Sequence, residues 1–479
     1  MTRVATPAPR PHRIDLLRRW PGLAWLLQRR WFQFALVLPN LLLFVVFLLA
    51  GFWGSPVGNH NVLIVGVWIL WWFLLISVLL PFAGRLWCTM CPFPFFGEWL
   101  QRGALLWPRL AAPGDKRRMG RNRAFGLTRR WPRALANIWL QNLGFLALCT
   151  FSALYLTRPL ASAVVLTGLV VLATALHLVY RQRAFCSYVC PVSGFLSLYS
   201  MTSMLEVRAR DPGTCLKCQD KGCLAGNERG FGCPWFLFPS QLDRNNYCGL
   251  CLECLKSCPH DNMTVNARAF AADTRIKGYD EAFKALIMVA IAGVYSVLWL
   301  GPWGELRDLA NVTETGNWRG FALYAAALWA LALVVLPGLQ ALAVLAGRRL
   351  AGGTAPPFRA AFLALVYPLV PLGLLAWIAF SLPLVLVNGS YVLMVLSDPM
   401  GWGWDLFGTA HVPWTPVVPH LIGWLQAPLL LLGLAVALRQ GHRLALALWG
   451  EPGRALRGFA PTALLLGLIA VGFLTVFLG

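Results

Sequence analysis

The chain has 479 residues, of which 58% are hydrophobic and only 13% charged, with a formal net charge of +22. Several apolar runs exceed the roughly 20 residues that a bilayer crossing needs, which excludes an ordinary soluble domain. The arginines gather in short stretches between those runs, as the positive-inside bias requires, and no basic recognition motif accompanies them; the expected partner is the lipid bilayer, with no nucleic acid.

In chain order, apolar runs fall near residues 31 to 53, 62 to 82, 135 to 156, 160 to 180, 283 to 301, 320 to 346, 360 to 387, 417 to 438 and 460 to 478, which predicts nine membrane spans. Basic residues precede the first (Arg18, Arg19, Arg29, Arg30). They follow the second (Lys116, Arg117, Arg118, Arg121, Arg123, Arg129, Arg130), the fourth (Arg181, Arg183), the sixth (Arg348, Arg349) and the eighth (Arg439, Arg443, Arg454, Arg457). This asymmetry puts the N-terminus in the cytoplasm and the C-terminus outside a cell membrane. The first run has a long basic leader and no small-residue cleavage site, so it stays as a helix. The expected organisation is a basic cytoplasmic N-terminus (1–30), a four-helix membrane unit (31–204), a cytoplasmic insert (205–280) and a C-terminal membrane domain of about five helices (281–479).

The four-helix unit repeats itself. After the second run stands Arg85-Leu-Trp-Cys88-Thr-Met-Cys91-Pro92, and after the fourth stands Arg183-Ala-Phe-Cys186-Ser-Tyr-Val-Cys190-Pro191. Residues three or four apart share a helix face, so each pair can present two sulfurs in one direction, and the proline then ends one helix and can open the next. Amphipathic tails are expected at Phe95 to Leu100 and Phe195 to Leu205. Two hairpins packed about a pseudo-twofold axis would bring four thiols together at the interface. That set suits a [2Fe–2S] or copper site, a redox-active dithiol pair or a structural role. Arg85 and Arg183, each three residues before its first cysteine, would favour thiolate or act as snorkelling anchors, the latter being the preferred reading. Cys149 reads as a small apolar residue of the third span. His177 reads as a helix–helix hydrogen-bonding group or a support for the thiol site.

The insert carries eight cysteines. Cys248-x2-Cys251-x2-Cys254-x3-Cys258-Pro259 is the bacterial [4Fe–4S] run, in which the first three thiolates hold one cluster and the fourth reaches to its neighbour. In a reducing compartment such thiols are metal ligands rather than disulfides, and four cysteines within eleven residues fit zinc poorly. Upstream, Cys215-x2-Cys218-x4-Cys223-x9-Cys233-Pro234 lengthens both later gaps. Crossed ligation then gives Cys248, Cys251, Cys254 and Cys233 to one cluster and Cys215, Cys218, Cys223 and Cys258 to the other, a single cluster being the alternative. Gly222, Gly226, Gly230 and Gly232 would let the longer loop fold back. In the last long outer segment, Asp405, His411 and His420 are candidate quinone or proton-handling groups, against the plainer reading of an interfacial aromatic belt.

Cys-Pro pairs at helix ends joined to a double ferredoxin motif resemble the NapH/NosR group of polytopic membrane ferredoxins and are similar to the copper-reducing assembly proteins CcoG/FixG. The resemblance covers residues 31 to 265. Cys186 to Pro191 keeps the usual Cys-x3-Cys-Pro spacing of those families, whereas Cys88 to Pro92 is one residue short. The expected fold is therefore all-α and polytopic, with an inserted small α+β bacterial-type two-cluster ferredoxin domain. The expected function is electron transfer between a cytoplasmic-side donor or partner subunit, two [4Fe–4S] clusters, the interfacial cysteines and a quinone or outer-side acceptor. Thiol-based reduction of Cu(II) to Cu(I) and a redox-sensing anchor without turnover are the alternatives. No nucleotide-binding fingerprint follows a plausible strand, so a redox partner subunit is expected.

Overall fold

The computed structural model describes residues 13–106, 125–127, 129–300 and 304–479; the basic residues Lys116, Arg117, Arg118, Arg121 and Arg123 lie outside them. Among the described residues, eight helices are long and apolar enough to cross a membrane: Arg30–Trp53, Ile64–Met90, Pro159–Val179, Tyr279–Leu300, Trp318–Ala351, Phe358–Asn388, Pro419–Trp449 and Pro452–Leu478. The remaining expected span is broken. Helix Trp139–Thr150 stops at Phe151, and a turn, Ser152–Tyr155, completes it. Thr150 Oγ1 donates back to the Leu146 carbonyl at 2.8 Å while accepting the Trp329 indole N–H at 3.0 Å. Such back-bonding bends a helix, and here a neighbouring span fixes the bend. These elements are called the first to ninth spans in chain order.

The second span departs furthest from a regular helix. Ile64–Trp71 and Leu75–Leu79 are π-helical, and Gly84 at φ +57° turns the chain before Cys88. Widened turns of this kind concentrate at functional sites. Here they hold Trp68 and Trp71, with Trp72 in the α-helical turn between them.

Between apolar spans lipid removes the usual hydrophobic drive, so side-chain packing has to hold them together. An aromatic cluster does so at the centre. Trp377 of the seventh span meets Trp72 at 5.9 Å, Phe195 at 5.7 Å and Tyr295 at 5.8 Å between ring centroids, and its indole donates to the Met288 carbonyl at 3.1 Å. Phe195 belongs to helix Pro191–Tyr199, in which Phe195, Leu196, Leu198 and Tyr199 are all buried. The expected amphipathic tail after Cys190 is thus a core helix, because the C-terminal spans cover the face that would otherwise meet water or headgroups.

The insert forms a small antiparallel sheet, β2 (Leu205–Ala209) against β3 (Met263–Ala267), with the order β1-β3-β2. The outer strand β1 (Ile14–Asp15) comes from the N-terminal segment, pairing Ile14 with Ala267 and Asp15 with Asn266. Asp15 accepts from Arg210 Nε at 2.9 Å and Thr264 Oγ1 at 2.6 Å, and Leu17 is buried with Leu250, Leu252 and Leu255. The N-terminal segment and the insert therefore share one side of the helix array. Arg244 fastens the insert to the fifth span through a bidentate pair with Glu281 at 2.7 Å.

Candidate iron–sulfur sites and the membrane thiols

All thirteen cysteines are free thiols, and twelve of them fall into three groups. Cys215, Cys218, Cys223 and Cys258 line a small cavity with Phe238, Pro239 and Met263. Cys233, Cys248, Cys251 and Cys254 line a second with Trp235, Leu237 and Leu242. The chain reaches this arrangement by folding the stretched loop back on itself. The Cys233 N–H donates to the Cys223 carbonyl at 2.8 Å, and Gly226 and Gly232 supply the positive φ that the reversal needs. Beyond each terminal cysteine the backbone turns an N–H onto sulfur: Leu237 N to Cys233 Sγ and Asn262 N to Cys258 Sγ, both at 3.3 Å, with Asn262 Nδ2 to Cys215 Sγ at 3.3 Å.

Burial and the neighbouring sulfurs push these thiols up, Cys223 to about 12. Burial also lifts Cys233, to about 11, against the pull of the Leu237 N–H. Left alone, both would stay protonated at neutral pH; a cationic core among them reverses that balance. Four sulfurs around each cavity, with N–H donors aimed at Cys215, Cys233 and Cys258, is the donor set that an iron–sulfur cluster takes. Among the described residues no group of three or more His, Cys, Asp or Glu side chains is arranged to hold a single metal ion.

The third group is the repeated Cys-Pro pairs. Cys91 stands within electrostatic reach of Cys88, Cys186 and Cys190, and all four line one chamber. The unequal spacing of the two pairs is absorbed by the backbone. Cys88 sits in an α-helical turn, Trp87–Met90, whereas Cys186 sits in a π-helical one, Phe185–Val189, closed by Cys190 N to Phe185 O at 2.8 Å. A π-turn spends one more residue per turn than an α-turn, so Cys-x3-Cys and Cys-x2-Cys bring their second sulfurs to comparable places. Pro191 opens the next helix at its first position; after Pro92 the chain turns first, and helix Phe95–Arg102 begins three residues later.

The two arginines are not anchors at a membrane surface. Arg85 and Arg183 are 2% and 1% exposed, because the insert covers them. Arg183 pairs with Glu98 at 2.7 Å, donates to the Cys88 carbonyl and lies 4.7 Å from the Trp235 ring; Arg85 donates to Asn246 O at 2.8 Å and Ser193 Oγ at 2.6 Å and lies 5.7 Å from the same ring. Burial would raise the Glu98 carboxyl, but Arg102 and Arg183 overcome it and hold it at about 2. Trp235 thus walls the second cavity on one side and stacks against both membrane units on the other. Gly249 lies so close to its ring that a Cβ there would come within 2.1 Å. Thr89 Oγ1 completes the junction by donating to Gly249 O at 2.6 Å. Sequence reasoning missed Trp235, whose only signal was its place after Cys233-Pro234.

The chamber is large, about 710 Å³, and runs from the four thiols past Trp71, Phe145 and Tyr295 to Tyr155, Thr157 and Asn388 at the far ends of their spans. The indole N–H groups of Trp71 and Trp299 lie buried along it with no hydrogen-bond partner. His177 is fully buried, its Nδ1–H donating to the carbonyl of Ala173 in its own helix at 2.7 Å. Cys149 is buried in the third span and also borders the chamber. Asp405, His411 and His420 are all exposed and none borders the chamber; Asp405 accepts the Ala410 N–H within its own loop at 3.0 Å.

A family model described as a 4Fe-4S binding domain matches residues 64–111 and 162–203. The two matched segments contain one Cys-Pro pair each and stop before Cys215. An uncharacterized protein of Methanocaldococcus jannaschii is 31% identical over 88 residues, which is 18% of this chain and 32% of that protein, so the chain spans about a third of its length. No solved structure matches. The matched domain and the apolar helices support a multi-pass membrane protein of the 4Fe–4S ferredoxin type.

Proposed function

We propose that the protein is an electron conduit in the cell membrane, joining a redox partner on the cytoplasmic side to a lipid-soluble quinone through the insert and the membrane thiols. Two [4Fe–4S] clusters, held by Cys215, Cys218, Cys223 and Cys258 and by Cys233, Cys248, Cys251 and Cys254, would supply reversible one-electron chemistry. The observation that carries this reading is the junction at Trp235. An insert that merely hung from a loop would need no buried arginines, yet here two guanidiniums, a tryptophan and the Thr89–Gly249 bond press one thiol cavity against the membrane thiols.

The residues divide the work. Cys215, Cys218, Cys223 and Cys258 form the outer cavity, where a partner can approach; Cys218 and Cys223 keep part of their surface accessible. Trp235 and its arginines exclude water from the inner junction, which keeps the two sides at fixed separation. The chamber beyond the thiols suits a quinone better than the exposed Asp405, His411 and His420 do. Its wall is apolar, and the free N–H groups of Trp71 and Trp299 can donate to ring carbonyls. The positive-inside bias supports a cytoplasmic insert.

Anaerobically prepared protein in nanodiscs, reduced by dithionite and then mixed with a short-chain quinone, tests this. The iron–sulfur absorbance should return on mixing, and Trp299→Phe should weaken quinone binding about threefold to tenfold, the worth of one hydrogen bond. Reoxidation that is equally fast in the absence of quinone, or an unchanged affinity in Trp299→Phe, refutes the assignment.

A further inference from the structure

A pocket lies where the first span, the helix that follows Cys91-Pro92 and the insert meet. Its floor is apolar. Phe34 and Val37 come from the first span and Phe95 and Trp99 from helix Phe95–Arg102, with Phe34 and Trp99 at 6.1 Å between ring centroids. Positions 30, 34 and 37 share one helix face, so this floor lies one to two turns deeper along the first span than Arg30, its first residue. Positions 95, 99 and 102 do the same on the shorter helix, which ends in Arg102.

The rim is basic. Arg30, Arg102, Arg229 and Lys256 line it, against Glu253 as the carboxylate of the wall. Both Glu253 oxygens are engaged, Oε1 by Lys256 Nζ at 2.9 Å and Oε2 by the Phe231 N–H at 2.8 Å, and Arg30 lies within electrostatic reach of the same group. Arg102 pairs with Glu98 at 2.6 Å, but that carboxylate also holds Arg183. The Arg102 guanidinium covers the Phe231 ring at 4.2 Å, which sets the membrane helix against the insert loop, and Arg229 of that loop is exposed. Positive charge therefore exceeds negative around the rim. The stretch after Leu106 is no source of an anion, since up to Trp131 its sequence has one acidic residue, Asp115, against eight basic ones.

Basic groups above an apolar floor, at the end of a membrane span, match a ligand with a phosphate at headgroup level and an acyl chain running down the helix. Guanidinium forks suit the phosphate oxygens. We propose that this pocket binds one anionic phospholipid, its phosphodiester between Arg30 and Arg229 and its acyl chain along Phe34 and Val37. Arg30 belongs to a membrane span and Arg229 to the insert, so the lipid joins the two parts and adds to the hold of the Arg183–Glu98 pair. The inference rests on the membrane spans and on neither cluster.

Native mass spectrometry of the purified chain in detergent, with phosphatidylglycerol or phosphatidylcholine added, counts the lipid retained. Hydrogen exchange at the amides of Arg229 to Phe231, in nanodiscs with and without phosphatidylglycerol, locates it. Wild type should retain one phosphatidylglycerol in preference to phosphatidylcholine, and the loop amides should exchange more slowly in its presence. Arg229→Gln, at an exposed position, should weaken retention about fivefold and Arg30→Gln by a similar factor, the share of one cation beside an anionic lipid. Arg19→Gln, an exposed cation outside the pocket, should leave both readouts at the wild-type value. Equal retention of the two lipids, or unchanged retention in Arg229→Gln, overturns the proposal. So does an equal loss in Arg19→Gln, which marks general charge attraction. Inorganic phosphate that slows the loop amides as much as phosphatidylglycerol assigns the pocket to a free anion and removes the lipid. Iron content tests the conduit separately, since no cysteine lines this pocket.

Discussion

Replacing Arg183 by glutamine tests whether the insert is locked to the membrane unit or only tethered to it. The guanidinium makes a bond to Glu98 at 2.7 Å, one to the Cys88 carbonyl and a contact with Trp235 at 4.7 Å, all with 1% of the residue exposed. Removing one partner of a buried pair typically costs about 3–5 kcal/mol, because the other charge is stranded. Arg102 remains on Glu98 at 2.6 Å and is only 11% exposed at its side chain, so the lower end applies, about 3 kcal/mol. Local opening of the junction should then rise by roughly 10²-fold. Hydrogen exchange at the amides of Trp235 to Cys251 reads this directly, with the amides of the ninth span as the internal reference. Arg183→Lys should fall between wild type and glutamine, since it keeps the charge but not the fork. Protection of residues 235–251 within twofold of wild type in Arg183→Gln would show that the buried pair does not hold the junction.

Other consequences follow from the same contacts. Gly249→Ala places a Cβ 2.1 Å from a Trp235 ring that two arginines already confine; overpacking of about 1–3 kcal/mol should appear as altered tryptophan fluorescence and faster exchange at the junction. Burial raises the Asp15 carboxyl, but the bonds from Arg210, Thr264 and the Arg18 amide outweigh it and hold it at about 2. A depressed carboxylate stabilises fully above its unfolded value near 4 and loses that contribution as pH falls toward 2, so β1 should stay docked at pH 7 with about 1 kcal/mol from this group. Asp15→Asn should therefore make residues 13–28 more open to protease at neutral pH; equal digestion of both proteins would contradict the linkage. Cys254→Ser and Cys223→Ser should each abolish one of two insert signals and not the same one, as their separate cavities require.

Much of the fold was legible because lipid imposes simple rules. Apolar length gave eight of the nine expected spans among the described residues, and the N-terminal segment and the insert share one side, where β1 pairs with β3. The break at Phe151 was not legible, since it depends on Trp329, nearly 180 residues away, reaching Thr150. The thiol groups could be anticipated from spacing alone, but the equivalence of Cys-x2-Cys and Cys-x3-Cys could not, because a π-turn leaves no mark in the sequence. Arg85 and Arg183 misled for a physical reason: a basic residue at a helix end is ordinarily an anchor, and only the docked insert makes it a buried one. Trp235 and Gly249 acquire meaning solely from residues that the fold brings to them.

The central claim is that the eight cysteines of the insert form two cluster sites set against a membrane redox path. Iron and zinc analysis with EPR of anaerobically purified, dithionite-reduced protein tests it most directly. The account predicts at least about eight irons per chain and two magnetically interacting [4Fe–4S] signals. Stoichiometric zinc with no iron would contradict it.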